Sequence, residues 1–266
     1  MVERTSANAS AVAAALTRVP DVPRWIDTRG MLLSGRAMAI ASPEGDDGFI
    51  VVVRDLALAS IVGRPSPRAI ADAIATLAGD VNVLAQMEDA DHVARALAGW
   101  RRRRAIVHVL PGEMPWEQEA EPQARVFTRP SAPRFNHVPE TLRRDLLDAL
   151  KGRTVSRFVP GALPRARTIV SHVTVPMAAV WADGRPVSFC YPIWQTEQWW
   201  DVSIETLAPY RSLGLGGRAA RALIRHMRAT GRAPVWGALE TNTASRTLAA
   251  RLGFLETGGI AVFTAA

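Results

Sequence analysis

The chain has little of three things that would each point to a class of protein: cysteine, lysine and long apolar runs. Its 266 residues include one cysteine, Cys190, so no internal disulfide can form and the reducing cytoplasm is the expected location. No apolar stretch reaches the roughly 18 to 20 residues that a membrane helix needs. The alanine-rich start also lacks the basic-then-apolar order of a secretory signal. We therefore expect neither a membrane protein nor a secreted disulfide scaffold.

Lysine occurs only at Lys151, although the net charge is +7 and the isoelectric point is near 10.9. Arginine supplies nearly all of the positive charge, which, with heavy alanine use, is typical of a GC-rich bacterial genome. The densest cluster, four arginines at 101–104, follows an apparent helix end at Trp100, where cations stabilise the helix dipole. A nucleic-acid patch is the less favoured interpretation, so we expect no nucleic-acid partner. The positive field would suit an anionic cofactor.

Periodicity and turn signals predict the same order of elements twice: strands, a loop, a helix, a strand, a helix and a strand. The first set comprises strands at 31–41, 49–62, 81–86 and 105–110, with helices at 66–77 and 91–100. The second set comprises strands at 177–182, 186–191, 198–207, 234–240 and 259–263, with helices at 217–230 and 244–252. The stretch 83–88 lies where 235–240 lies in the second set. The fold class is therefore α/β, and a duplication is the favoured explanation, with chance similarity of two mixed halves as its alternative.

A polar, proline-rich stretch separates the two sets and predicts a linker at 113–134. Division there gives an N-terminal domain at 1–112 and a C-terminal domain at 135–266. The second domain is expected to start with a helix at Pro139, where proline suits the first helical turn.

The most informative segment is the glycine-rich turn at 210–217, which lies between a predicted strand and a predicted helix. Glycines let the backbone fold tightly and turn successive N–H groups toward one point. The helix N-terminus adds a partial positive charge, so the turn suits a diphosphate. Such turns also serve packing alone, and that alternative stays open on this segment by itself.

Two patterns together resemble a known family. Arg211-x-x-Gly214-x-Gly216 matches the Q/R-x-x-G-x-G/A loop of the GNAT acetyltransferase superfamily. One helix and one strand later, Asn242-x-x-Ser245-x-x-Leu248-Ala249-x-x-Leu252-Gly253-Phe254 is similar to its second signature, N-x-x-S-x-x-L-Y-x-x-L-G-F. The resemblance covers about 135–266, and it is closest to members that carry an extra, divergent GNAT-like N-terminal half.

The resemblance implies a mixed, partly splayed sheet flanked by helices, and binding of acetyl-CoA or coenzyme A. The strand at 198–207 would splay from the strand at 234–240, with the pantetheine arm in the gap. The implied cofactor-binding residues are Thr206, Leu207, Arg211, Ser212, Leu213, Gly214, Leu215, Gly216, Gly217, Asn242 and Ser245. Asn242 is equally well explained as a residue of the helix N-terminal turn, and Ser245 as a support of the helix start.

The implied reaction is direct attack of a neutral amine on the acyl-CoA thioester. Glu205, on the expected cofactor strand, is the candidate general base; pointing the other way, it would be a solvated strand residue. Asp201 and His172 are the next candidates. The acceptor, a small-molecule or peptide amine, cannot be identified from the sequence, and neither can the oligomeric state.

Two departures from the family pattern stand out. Ala249 occupies the place of a tyrosine that can protonate the departing thiolate in many GNAT enzymes. In the N-terminal half, Pro65 and Pro67 lack backbone N–H groups where a phosphate would need donors, so one CoA per chain is expected. A second possible function is therefore a catalytically silent CoA-binding sensor or interaction module.

Other candidates carry less weight. Gly214-x-Gly216-x-x-Ala219 also fits a loose dinucleotide fingerprint, but too many residues separate it from the preceding strand. The histidines have no metal-ligand spacing, so no metal is expected. Cys190 in an apolar strand favours packing over a nucleophile. Trp194, Trp199 and Trp200 could line an acceptor pocket, although core packing is the favoured role.

Overall fold

The computed structural model describes residues 2–42, 48–128 and 176–265. The helices in these ranges are α1 (Val2–Arg18), α2 (Ile26–Leu33), α3 (Pro67–Ala75), α4 (Ala90–Ala96), α5 (Leu215–Ala229) and α6 (Thr243–Arg251). The strands of the first part are β1 (Met38–Ala41), β2 (Phe49–Val53), β3 (Leu58–Val62), β4 (Asn82–Gln86), β5 (Arg101–Val109) and β6 (Ala124–Phe127). Those of the second are β7 (Met177–Ala182), β8 (Arg185–Tyr191), β9 (Trp199–Asp201), β10 (Ser203–Thr206), β11 (Ala233–Leu239) and β12 (Leu255–Thr264).

The strands form two sheets, a larger one of mixed direction and a smaller antiparallel one. The larger has eight strands in the order β1-β2-β3-β4-β12-β5-β11-β9, and the smaller has four in the order β10-β8-β7-β6. The α/β class and the mixed sheet flanked by helices are confirmed. Among the described helices, none combines the length and apolar character needed to cross a membrane.

We call α1–α4 with β1–β5 the first region, and β6–β12 with α5 and α6 the second. The two regions exchange strands at the centre of the large sheet. β12 lies between β4 and β5, and β5 lies between β12 and β11, with every one of these pairs antiparallel. Each region thus places its last strand between the final two strands of the other. The pairing of Ala105 with Ile260 lies at the centre of this arrangement. The expected domain boundaries stay a prediction, but the regions share one sheet, and Ala261 and Phe263 of β12 pack in the hydrophobic cluster beneath α3 and α4.

The helices pack on the large sheet in a way that its register explains. α3 and α4 pack on Val83, Ala85, Ala261 and Phe263, and the core beneath α5 and α6 includes Trp236 and Ala238. Ala238 of β11 pairs with Ile106 of β5, and Ala261 of β12 pairs with Arg104 of β5. Ile106 and Arg104 are two residues apart, so their side chains lie on the same face. Side chains alternate along a strand, so these four helices share one face of the sheet. α1 and α2 cover the other face, through β2 residues such as Val51 and Val53.

Several expected boundaries differ from the structure. The strand expected at 31–41 begins only at Met38, because 31–33 complete α2, which the sequence interpretation missed. The run at 49–62 is a hairpin, bent at Ala57 in the left-handed region with φ 49°. The strand β6 lies inside the segment interpreted as linker and pairs with β7. The helix expected from Pro139 and the residue His172 lie outside the described residues.

Two interpretations of short segments were wrong. The four arginines at 101–104 do not follow a helix end but begin β5, where pairing with β12 imposes the extended conformation. The stretch 83–88 does not correspond to 235–240, because Val83 faces α3 and α4 whereas Val235 faces the opposite core. If Val83 is aligned with Trp236 instead, a shift of one residue, the aligned side chains lie on the same face of the sheet. It also aligns Asp89 with Asn242, the residues that precede α4 and α6.

Candidate active site

A gap opens where one strand leaves the large sheet. β9 pairs in parallel with β11 from Trp199 to Asp201, and the Val202 N–H still donates to the Val235 carbonyl at 2.9 Å. Beyond that point β10 pairs only with β8, in the small sheet. The strand expected at 198–207 is therefore divided at Val202, and its second part diverges from β11 as the resemblance implied. Within the described residues, β10 and β11 therefore border this gap without pairing with each other.

The glycine-rich turn lies directly after β10. A short 3-10 helix (Ala208–Tyr210) leads into it, Ser212 has φ 63°, and Gly214 has φ 76° as the residue that precedes α5. Gly214 has no side chain that could accept from the first amides of α5. The first backbone hydrogen bond of the helix runs from Arg218 N to Gly214 O at 3.2 Å. The amides of the first turn are thus available to an anion, and the dipole of a 15-residue helix favours one.

Gly216 and Gly217 bring the start of α5 close to the gap. A Cβ on Gly216 would lie 3.2 Å from Ile204 Cγ2, which is tight enough to require a small shift of that side chain, and 3.7 Å from Leu248 Cδ2, which is an ordinary contact. A Cβ on Gly217 would lie 3.5 Å from Leu248 Cδ1. The glycines therefore allow close packing of α5, β10 and α6, in addition to any role toward a ligand. Leu215 is buried below the turn, whereas Leu213 is 61% exposed at its tip.

The end of β10 holds the turn in place. Thr206 Oγ1 lies 2.7 Å from Ser188 Oγ, and the Thr206 carbonyl accepts a bond from Arg211 Nε at 3.2 Å. Leu207 is buried, and its N–H donates to the Val187 carbonyl at 2.9 Å. These three expected cofactor residues, Thr206, Leu207 and Arg211, are thus brought together beside the turn. Their contact with a cofactor stays a prediction.

The second signature forms the start of α6. Asn242 precedes the helix and its Oδ1 accepts from Ser245 N at 3.1 Å, as expected of an N-cap. Ser245 Oγ in turn accepts from Trp236 Nε1 at 3.0 Å, so this hydroxyl supports the helix start. Ala249 is 0% exposed, and a phenol at this position would have to displace the core around it.

Glu205 lies on β10 on the side away from α5. Ile204 and Thr206 flank it and approach Gly216, so the alternation of a strand directs Glu205 to the opposite face. It pairs with Phe189, and Tyr191 pairs with Ser203 on the same face. Burial, and then the negative charges of Glu205 and Asp201, raise the pKa of Tyr191 well above its ordinary value. Burial likewise raises the pKa of the Cys190 thiol, in keeping with a packing role.

The remaining expected residues near the gap are structural. Asp201 is 0% exposed, and its Oδ1 accepts from the N–H groups of Ile193 and Trp194, both at 2.7 Å. This carboxylate holds the loop before β9 and is therefore a poor candidate for a base. Trp194 packs on Gly30 of α2, and Trp199 Nε1 donates to the Asp21 carbonyl at 3.1 Å. Trp194 and Trp200 are buried, which confirms packing as the favoured role of these two rings.

Sequence reasoning missed a contact between α5 and the segment 117–123, which we name the strap. Four arginines of α5 meet alternate strap residues. The contacts are Arg228 with Glu117, Arg225 with the Glu119 carbonyl, Arg221 with Glu121, and Arg218 with the side chain of Gln123. Acidic residues at a spacing of two, and arginines at spacings of three and four, are the sequence signals of this contact. Composition alone predicts only a linker here.

A family model matches the second part of the chain. Residues 178–262 match the model of the GNAT acetyltransferases, from β7 into β12. The matched region contains the turn, the gap and the start of α6 described above. No curated protein matches the chain by sequence.

Solved structures are similar to this chain well beyond residues 178–262. A protein from Novosphingobium aromaticivorans, described as belonging to the GNAT family of acetyltransferases, matches with a TM-score of 0.63 and 17% identity over 92% of this chain and 96% of that one. A GCN5-related N-acetyltransferase-like protein from Streptococcus suis gives 0.63 and 15% over 97% and 99%. A GNAT-family acetyltransferase from Colwellia psychrerythraea gives 0.57 and 12% over 98% and 97%. At these identities the likeness shows that the fold is shared over nearly the whole chain.

Proposed function

We propose that the chain binds acyl-CoA in the gap between β10 and β11 and transfers the acyl group to an amine. The observation that carries this proposal is the divergence of β10 from β11 beside a helix that begins at a glycine without a side-chain cap. Beyond Val202, β10 and β11 do not pair with each other within the described residues, which leaves room between them for the amide-rich pantetheine arm. The turn at 211–217 offers amides and the helix dipole to the diphosphate.

The chemistry needs little covalent participation of the protein. Bound acyl-CoA supplies the thioester that a neutral amine attacks. Strand amides at the gap stabilise the developing oxyanion, and positioning of the two reactants contributes the rest. Glu205 accepts the proton of the amine. The thiol of CoA has a reference pKa near 8.5 and leaves with help from water, so the small Ala249 is compatible with turnover.

The second candidate is a CoA-binding sensor without catalysis, and the enclosed Ala249 is the observation that favours it. The two functions share the cofactor and differ in turnover. Release of CoA from acetyl-CoA, measured with and without a panel of aminoglycosides, polyamines, amino acids and peptides, distinguishes them. A dinucleotide-binding protein is disfavoured because a 3-10 helix separates β10 from Gly214 and the sheets are largely antiparallel.

The binding site is tested by one pair of variants with matched exposure and charge. Leu213 at the tip of the turn is 61% exposed, and Leu255, the first residue of β12, is 58% exposed. Leu213→Glu places a negative charge beside the diphosphate without loss of packing, and we expect CoA affinity, measured by calorimetry, to fall at least about ten-fold. Leu255→Glu should leave it unchanged. Equal affinities in the two variants would remove the turn as the phosphate site.

A further inference from the structure

The strap forms ion pairs with two arginines of α5 but not with the one at the helix start. Arg228 pairs with Glu117 and Arg221 with Glu121, whereas Arg225, between them, donates to the backbone carbonyl of Glu119. At Arg218 the partner is Gln123, whose Oε1 accepts from Nη1. A neutral amide therefore stands where the alternation of the strap would place a fourth carboxylate.

Arg218 lies where its charge matters most for an anion at the turn. It is the fourth residue of α5, within one helical turn of the free amides. Helical side chains tilt toward the N-terminus, which brings the guanidinium toward the turn. Gln123 is itself fixed, because its carbonyl accepts from Trp181 N at 3.0 Å where β6 meets β7. The guanidinium is thus held in place by an acceptor that does not neutralise it.

We propose that Arg218 is a cationic ligand of the CoA diphosphate, and that Gln123 positions it for this role. The inference rests on the proposed function. A guanidinium has five donors, and the contact with Gln123 uses one, so two parallel bonds to a phosphate remain available. A glutamate at 123 would pair with Arg218 and cancel the charge that the phosphate needs. The glutamine therefore leaves the charge of Arg218 available within the first turn of α5, whereas Arg221 and Arg228 form ion pairs with glutamates of the strap.

The experiment compares two isosteric changes on the strap. Gln123→Glu and Gln118→Glu each lower the net charge by one, but Gln118 lies at the end of the strap that meets the last turn of α5. The two ends of α5 are about 20 Å apart, beyond the Debye length of about 8 Å at 0.15 M salt. We expect Gln123→Glu to weaken CoA binding about five-fold or more in calorimetry, and Gln118→Glu by less than two-fold. The difference should shrink at high salt.

A second pair addresses the arginine itself. Arg218→Ala should weaken CoA and dephospho-CoA to the same extent, because the diphosphate is common to both, whereas Arg225→Ala should affect neither. Equal affinities in the Gln123→Glu and Gln118→Glu variants would overturn the inference. A loss confined to CoA would overturn the diphosphate assignment, because the contact would then be with the 3′-phosphate. Failure of the wild-type chain to bind CoA would instead overturn the proposed function, and the inference with it.

Discussion

The turn before α3 and the turn before α5 hold the same place in the two regions, but they treat their amides in opposite ways. Before α3, Pro65 and Pro67 have no N–H, and Ser66 Oγ accepts from Ala69 N at 3.3 Å. The Pro65 carbonyl is also occupied, by His92 Nε2 at 2.7 Å. Before α5, Gly214 provides no side-chain cap. The first turn thus has a side-chain cap and two prolines without N–H groups, whereas the second has no side-chain cap for its amides.

The strands that precede the two turns differ as well, because only the one before α5 separates from its neighbour. β3 stays paired with β4 from Leu58 to Ile61, whereas β10 leaves β11 after Val202. β3 also contains no acidic residue, whereas β10 contains Glu205. A shared order of elements therefore does not make a second site. The first region instead braces the second, with β5 along one edge of β11 and α2 beside β9.

Of the features that only the second region has, Glu205 is expected to have the largest effect, and this effect is on turnover. Glu205→Gln should lower the rate of acyl transfer by about 10² or more while CoA affinity stays unchanged, because in the proposed reaction the carboxylate accepts the amine proton and does not hold the cofactor. Steady-state rates with an accepted amine, together with calorimetry of CoA, test this. The control is Glu256→Gln, a half-exposed carboxylate on β12. An unchanged rate would place the base elsewhere. The pH–rate profile should show a basic requirement and no acid limb from a tyrosine.

A smaller effect is expected at Asn242, where capping and binding can be separated. Its Oδ1 caps α6, and the exposed amide nitrogen remains for the pantetheine arm. Asn242→Ser keeps a capping oxygen and removes that nitrogen, so CoA affinity should fall about five-fold with the free energy of unfolding unchanged. Asn242→Ala should lose both. If Asn242→Ser binds CoA like the wild type, the residue serves the helix alone.

The sequence predicted the second region better than the first, and the reason is physical. The turn at 210–217 and the signature from Asn242 specify local backbone geometry, and local geometry is encoded in neighbouring residues. The exchange of β5 and β12 depends on pairing between strands about 150 residues apart, which no local pattern records. The arginines at 101–104 show the same limit, because their extended conformation comes from β12. The contact of Arg218 with Gln123 was missed because it lies between two regions that were interpreted separately.

Removing the cap of the turn before α3 tests whether that turn can bind a phosphate. Ser66→Ala deletes the acceptor of Ala69 N, and the free energy of unfolding should fall by about 1 kcal/mol. Because Pro65 and Pro67 still lack donors, the freed amide should not create a phosphate site. Titration should therefore give one CoA per chain in both the wild type and the variant. Two equivalent sites in either protein would contradict the assignment of the site to the second region alone.

The smallest effect concerns the contact that ties the first region to β9. Arg29 of α2 forms two bonds to Glu197, at 2.8 and 2.7 Å, and these bonds lower the pKa of Glu197 to about 2 from 4.5. A lowered folded-state pKa stabilises the protein fully above pH 4.5, and this contribution disappears as the pH falls toward 2. Because the Glu197 side chain is half-exposed, the contribution should be below about 1 kcal/mol. Denaturant unfolding of Glu197→Gln should show this deficit at pH 7 and a smaller one at pH 3. A deficit that is the same at both pH values would mean that packing of the side chain, rather than its charge, holds β9 to α2.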